Sequence, residues 1–458
     1  MPEYNYRYIA QITIEAETPL AVSNGENDLI CDLLVATDAN GIPMIPGTSL
    51  CGVLRSSLND THTPGTIADI FGGQKPGSDE GAGSRLIISS AHIIDEDGKT
   101  VIEGLHIKKS HYLQYLEKLP VRQHCKINHR GAADVAAYGK FDNQILLKGV
   151  RFKFEIELLG SEADKSDWNA ILSQFSRRSF RIGGGTRKGY GKLKVIEIRE
   201  RCFDLEKDLD DYLKKTSSLN CQIEVAPKTV LGNPMADDYW IIYELNVSPD
   251  DFWLFGSGFP DEDVDMTPVY ENTVDWKTGR PVFSKKMILI PASSIKGAIS
   301  HRTAFHYNKL SGNFADKLPT GRAQDDFVGE KNEAVKSLFG YAKDSKKESA
   351  GEDGQRGNVI MSDLFVHDEN KTKILNHVSI DRFTGGAIDG ALFDEKVLSQ
   401  KSELKVELIV NKKAFAIENI KKAFESALSD ICTGILPLGG GVMRGHGCFS
   451  GNWVKHER

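Results

Sequence analysis

Residues Ile45 to Leu54 read IPGTSLCGVL, and 245 residues later Ile290 to Ile299 read IPASSIKGAI. A phrase that recurs at such a distance marks an internal repeat, and a repeat decides the fold before any single element does. Upstream of each phrase runs a segment of period two, Tyr6, Tyr8, Ile12 and Ile14 in the first copy and Ile241, Tyr243, Leu245 and Val247 in the second, which predicts half-buried strands. Downstream come Ile70-Phe71-Gly72 and Leu338-Phe339-Gly340, then strand-like runs at Leu86 to Ile88 and Val359 to Met361. A second alternating strand follows in each copy, Phe152/Phe154/Ile156/Leu158 and Leu404/Val406/Leu408/Val410. Trp168, Ile171, Leu172 and Phe175, and Ile420, Phe424, Leu428 and Ile431, then fall at helical spacing. Each copy closes with a glycine loop, Arg181-Ile182-Gly183-Gly184-Gly185-Thr186-Arg187-Lys188-Gly189 and Leu438-Gly439-Gly440-Gly441-Val442-Met443-Arg444-Gly445-His446, leading into a last strand.

The same features in the same order predict two copies of one α+β unit. Strand, helix, strand, strand, helix, strand suits a ferredoxin-like (RRM-like) βαββαβ sheet with inserted loops. We place the first unit at residues 1–202, a linker at 203–238 on the strength of Pro227, Gly232 and Pro234, and the second unit at 239–458. The polar run Tyr341 to Gly357 has no apolar period and is expected to be a loop without a core of its own.

Lys and Arg number 57 against 64 Asp and Glu, a net charge of −7, which excludes a surface that is basic throughout but leaves room for local basic grooves. The seven cysteines form no CxxC pair, so neither a disulfide framework nor a zinc knuckle is expected. No basic-then-apolar leader opens the chain and nowhere do about 18 apolar residues run together, so the expectation is a soluble, cytoplasmic protein with no membrane partner.

Neither glycine loop is a Walker A motif, because Gly189 is followed by Tyr190 and Gly445 by His446; neither fits the dinucleotide fingerprint, because each precedes a strand. What is left is backbone able to approach phosphate, flanked by Arg181, Arg187 and Lys188 or by Arg444 and His446, with a tight turn and solvated charges as the alternative. Ser49 and Ser294 are expected to cap the helices that begin there, with Arg55, Lys296 and Arg302 one to two turns on; the helix start offers amides to an anion. From His106 to Arg130 six Lys/Arg (108, 109, 118, 122, 126 and 130) face one acid, Glu117, which reads as a footprint for RNA or as a solvated face.

These residues carry a resemblance. The two IP-x-S phrases, the Phe-Gly turns and the glycine loops are similar to those of the repeat-associated mysterious protein (RAMP) superfamily. Val378-Ser379-Ile380-Asp381-Arg382-Phe383-Thr384-Gly385-Gly386-Ala387, continuing to Glu395, resembles the I-D-R-x-T-G-x-A…G-x-L-F-x-E signature of backbone subunits of type III CRISPR effectors. Two such units in one chain look like the fused backbone subunits of subtype III-D.

The resemblance implies a subunit that binds guide RNA, pairs it with target RNA among other effector subunits, and cuts the target with an aspartate and a divalent metal, Mg2+ being the expected ion. Carried over residue by residue, the aspartate is Asp32 in the first unit and Asp265 in the second, with Asp275 matched to Asp38. Asp32 and Asp265 are then also the metal ligands, and Ser49, Arg55, Arg130, Arg181, Gly183, Gly184, Gly185, Arg187, Lys188, Ser294, Lys296, Arg302, Arg382, Gly439, Gly440, Gly441, Arg444 and His446 the RNA contacts. Cys51 stands where the family has Lys, Ser300 where it has Arg, and Lys126 to Gly131 where the first unit would carry I-D-R-x-T-G. The rival readings are a scaffold that binds RNA without cutting, and a guide-processing nuclease relying on His129 or His446.

Overall fold

The computed structural model describes residues 4–23, 25–28, 31–59, 62–74, 81–105, 107–128, 133, 139–225, 239–284, 286–317, 327–342 and 354–457. Arg130, His129, the end of the linker and most of the 341–357 run lie outside the described residues.

The first unit consists of β1 (Tyr6–Ala16), α1 (Gly47–Leu58), β2 (Leu86–Ile88), β3 (Arg151–Gly160), α2 (Lys165–Gln174) and β4 (Leu193–Asp204). Its sheet has the order β2-β3-β1-β4 with antiparallel neighbours, and the bridge His92–Ile93 also pairs with β3. The second unit repeats this with β5 (Trp240–Pro249), α3 (Ala292–Leu310), β6 (Val359–Met361), β7 (Leu404–Asn411), α4 (Glu418–Cys432) and β8 (Phe449–His456), in the order β6-β7-β5-β8. Both are the ferredoxin-like topology expected from the pattern.

The period-two residues all point to the helix-covered face. Tyr8, Ile12 and Ile14 with Phe152, Phe154, Ile156 and Leu158 pack against Leu50 and Leu54 of α1 and Trp168, Ile171 and Leu172 of α2. Tyr243, Leu245, Val406 and Leu408 meet Ile295, Ile299, Phe424 and Leu428 in the second unit. Alternation decides this because successive strand residues face opposite sides. The chain from Asp204 to Val225 turns back onto the first unit: Tyr212 and Ile223 pack with Ile9 and Phe203, and Glu103 accepts from the Leu219 amide (3.0 Å).

Two hairpins stand out from the sheets at matching places, Val121–Cys125 with Lys140–Gln144 in the first unit and Thr372–Ile380 with Ala387–Leu398 in the second. The I-D-R-F-T-G wording is the chemistry of the second hairpin's turn: Asp381 accepts from the amides of Phe383 (2.7 Å) and Thr384 (3.4 Å), which leaves Arg382 and Phe383 in solvent.

The serines do not cap their helices. α1 and α3 start at Gly47 and Ala292, directly after Pro46 and Pro291, so Ser49 and Ser294 sit inside the first turn. The first amides are instead taken by side chains from beyond the second strand: the Gly47 amide donates to Ser90 Oγ (3.3 Å) and the Ala292 amide to Asp363 Oδ1 (2.8 Å). Among the described residues no helix is long and apolar enough to cross a membrane.

Candidate functional site

Matching hydrogen bonds superpose the two units. The Gly184 amide donates to Ala21 O and the Gly440 amide to Leu254 O, both at 2.7 Å, while the Ala36 amide reaches Val22 O and the Val269 amide Phe255 O, both at 2.8 Å. Counting along the chain from these anchors, Asp32 and Asp265 are equivalent. The Asp142 amide donates to Asp32 Oδ2 (2.8 Å) and the Asp394 amide to Asp265 Oδ2 (3.0 Å), and both aspartates are exposed. Each carboxylate is thus pinned by the root of its own hairpin while still facing solvent.

The match of Asp275 with Asp38 does not hold. Asp38 closes a four-residue turn by accepting from the amides of Asn40 (2.8 Å) and Ile42 (2.9 Å), and the residue in its place in the second unit is Glu271. Asp275 belongs to an inserted ladder, Val274–Asp275 with Val282–Phe283, and pairs with Lys277 (3.2 Å). The insertion shifted the spacing on which the match rested.

Around each aspartate the hairpin supplies further chemistry. His124 stacks on Phe141 with ring centres 4.8 Å apart, and His377 stacks on Phe393 at the same distance. His124 Nε2 lies 2.8 Å from the Tyr190 hydroxyl, whereas His377 and His446 both reach Glu395, at 2.8 and 2.9 Å. Burial, then the charges of Lys188 and Arg122, push the His124 imidazole down to about 4, so it is neutral at pH 7. Glu395 is fully buried; burial by itself raises its pKa, but hydrogen bonds from Arg444, His446 and His377 pull it down to about 2. Lys188 and Arg444 lie over Phe141 and Phe393, at 4.1 and 5.3 Å.

The glycine triplets are needed for this packing. Gly185 and Gly441 have φ of +65° and +69°, and a Cβ on either would lie 2.4 or 2.5 Å from the ring of Tyr190 or His446. In the first unit Gly183, Gly184, Gly185 and Ser49 line one cavity of about 290 Å³ together with Leu33 and Asn143, next to Asp32. The structure therefore brings the triplet, the α1 entry and the aspartate loop together.

The charged residues divide. Arg181 is buried, donating to the carbonyls of Arg178 and Phe180 and to Ser362 Oγ (3.2 Å), so it is not a surface contact as expected. Arg302 pairs with Asp430 of α4, and His446 is buried against Glu395. Three cations of the basic stretch are paired, Arg122 with Glu271 and Asp363, Lys109 with Glu117, and Lys126 with Glu330 (2.9 Å), while Lys108 and Lys118 are exposed. Three of those acids belong to the second unit, so Arg122 and Lys126 lie on the seam between the units. Arg55 and Arg382 are exposed.

One group of cations makes no ion pair, although the Glu330 carboxylate acts on one of them, Lys296. Lys188 and Arg187 from the first glycine loop come together with Lys296 near the start of α3 and with Arg356, and among the described residues none of the four makes an ion pair. Burial, then Lys188 and Arg187, hold Lys296 down to about 8; burial, then Arg356 and Arg181, hold Arg187 down to about 9. Burial also lowers Lys188 and Arg356. An anion placed among cations that depress one another would lower the cost of holding each of them charged.

The family model of the RAMP superfamily matches residues 13–194 and 252–450. This chain belongs to the RAMP superfamily, and the two matched regions are its two units. A structural match to this RAMP chain is a cryo-EM structure of the type III-B Cmr-beta bound to cognate target RNA, at 16% identity and a TM-score of 0.30, covering 42% of this chain and 60% of that one. No curated protein matches the chain.

The hairpin histidines, Asp142 and Asp394 were missed in the sequence, and Glu395 was read only as the end of the signature. A signal existed, since Phe141-Asp142-Asn143 and Phe393-Asp394-Glu395 repeat one phrase, but only the superposed hairpins give it meaning.

Proposed function

We propose that this RAMP protein is a subunit of a type III CRISPR effector that holds guide RNA across its two units and cuts paired target RNA at Asp32 and Asp265. The observation that carries the reading is the duplication of the aspartate site: the same carboxylate, held by the same backbone donor, beside the same stacked His–Phe pair and cation. A residue serving only one local turn has no reason to recur with its surroundings intact. The cation niche of Arg187, Lys188, Lys296 and Arg356 suits the RNA backbone, whose phosphates dominate affinity while base pairing carries sequence.

No group of three or more His, Cys, Asp or Glu forms a metal cluster among the described residues. Mg2+ keeps several waters and takes one or two carboxylates together with substrate phosphates, and the exposed carboxylates of Asp32 and Asp265 are of that kind. Asp32 and Asp265 would hold it, with Asp142 and Asp394 beside them, and the ion would supply charge stabilisation and activation of the attacking hydroxyl. The protein's own part is positioning: the cations fix the backbone, the hairpin directs the aspartate, and neutral His124 with Tyr190 offers hydrogen bonds without adding charge.

The test is target cleavage by the reconstituted effector, with Mg2+ or EDTA, comparing wild type with Asp32→Asn, Asp265→Asn and the double variant. Each single variant should lose a different cut by about 100-fold or more while guide binding persists. Survival of every cut in the double variant would leave the chain a scaffold, the role that the Asp142 and Asp394 amides on these carboxylates would then serve.

A further inference from the structure

The loops that lead into Asp32 and Asp265 differ in wording. Counted from the anchors that superpose the two aspartates, Glu26, Asn27, Leu29, Ile30 and Cys31 are exchanged for Phe259, Pro260, Glu262, Asp263 and Val264, and Asp28 alone is kept, as Asp261. The two retained acids make the same bonds. The Cys31 amide donates to Asp28 Oδ1 (2.6 Å) and the Asp28 amide to Cys31 O (3.0 Å); the Val264 amide donates to Asp261 Oδ1 (2.9 Å) and the Asp261 amide to Val264 O (2.9 Å). One aspartate thus closes a ring through its carboxylate and its own amide, the means by which Asp fixes a turn.

What the ring holds is the residue directly before the aspartate of the site. Cys31 is 3% and Val264 5% exposed, whereas Asp32 and Asp265 face solvent. The buried side chain anchors the loop, the turn carboxylate fixes the anchor's amide, and the direction in which the next residue leaves is set. The hairpin completes the hold. Beyond the Asp142 amide, Gln144 Oε1 accepts from the Val35 amide (2.9 Å); in the second unit Lys396 stands in the place of Gln144 and its Nζ reaches Asp261 Oδ2 (2.7 Å). Lys396, then the amides of Asp263 and Val264, hold the Asp261 carboxyl down to about 2, so one ionised group joins loop and hairpin there.

Resting on the cleavage reading above, we propose that Asp28 and Asp261 are positioning residues of the two aspartate sites, each orienting the carboxylate that follows it without touching RNA. A turn that served only its loop would be free to change with it, yet this one is retained where its neighbours are exchanged. Its loss falls on rate, because a displacement of about 1 Å in a reacting group can cost about 100-fold while the paired RNA stays in place.

The experiment is single-turnover cleavage of guide-paired target by the reconstituted effector, with target affinity measured in EDTA and folding followed by thermal melts. Asp28→Ala is expected to slow the cut assigned to Asp32 by about 30-fold or more, and Asp261→Ala the cut assigned to Asp265, each leaving the other cut, target affinity and the melt unchanged. Asp28→Asn keeps the Oδ1 acceptor and should retain its cut within about threefold. Asp261→Asn also releases Lys396 and should fall between wild type and Asp261→Ala. Asp32→Asn and Asp265→Asn, run alongside, separate the two readings: if they abolish the cuts and the alanine variants do not, the positioning proposal falls alone, whereas cuts that survive in them overturn the cleavage reading and the proposal together. A loss in Asp28→Asn as deep as in Asp28→Ala would overturn the proposal, because the charge and not the turn would then be what the cut needs, and so would alanine variants whose loss lies in target affinity.

Discussion

Lys296 carries the sharpest single-residue consequence. Its folded value of about 8 lies below the ordinary lysine value because burial and its cationic neighbours penalise the charged form. Phosphate placed in the niche restores the charge, so binding takes up a proton once the free protein has begun to lose it. RNA affinity is therefore constant below about pH 7 and falls as pH rises through 8, with Arg187, near 9, adding a second decline. Binding isotherms from pH 7 to 9.5 should show this slope in wild type and a shallower one in Lys296→Met, whose affinity at pH 7 should drop about tenfold.

Among the elements, the hairpin at 372–398 depends on one carboxylate. Glu395 is held at about 2 by Arg444, His446 and His377 against a burial cost, so its folded value lies below its unfolded one. Its stabilising contribution is complete above the unfolded value of about 4.5 and is lost as pH falls from there towards 2. Thermal melts should show the wild type losing stability over that window and Glu395→Gln starting lower at pH 7 and changing less. The first unit's hairpin has Asn143 in that place and is expected not to share the transition. This contrast was not legible in the residue pattern: Asn143 and Glu395 sit in similar phrases, and only the hairpin's seating against the glycine loop buries them.

Across the whole molecule, the two cores are joined by a buried ion-pair group. Arg122 is buried between two acids of the second unit, and removing one member of such a group leaves uncompensated charge, worth about 3–5 kcal/mol. Arg122→Leu should therefore lower the urea midpoint and uncouple the two units, seen as a second unfolding transition. Gly149 contributes through close approach: its φ is +91° and a Cβ there would lie 1.9 Å from Val274 O of the second unit. Arg122 looked in the sequence like part of an RNA footprint because its acids are 149 and 241 residues away.

The amino-acid sequence by itself determined the repeat, the α+β class and the strand faces, because periodicity and recurring phrases are local properties that backbone geometry converts directly into elements; the equivalence of Asp32 with Asp265 rested on the family resemblance until matched hydrogen bonds of the two units gave it. It did not determine the fate of the charges. Whether Arg181, Arg122 or Lys296 meets a carboxylate, a carbonyl or an empty niche depends on which unit's surface arrives opposite, across separations no local pattern records. The tertiary structure decided that Arg122 and Lys126 of the basic stretch join the two units and that Arg187, Lys188, Lys296 and Arg356 make no ion pair among the described residues. The physical reason is that a charge acquires its role from the dielectric and the partner around it, and both are created only when the units pack.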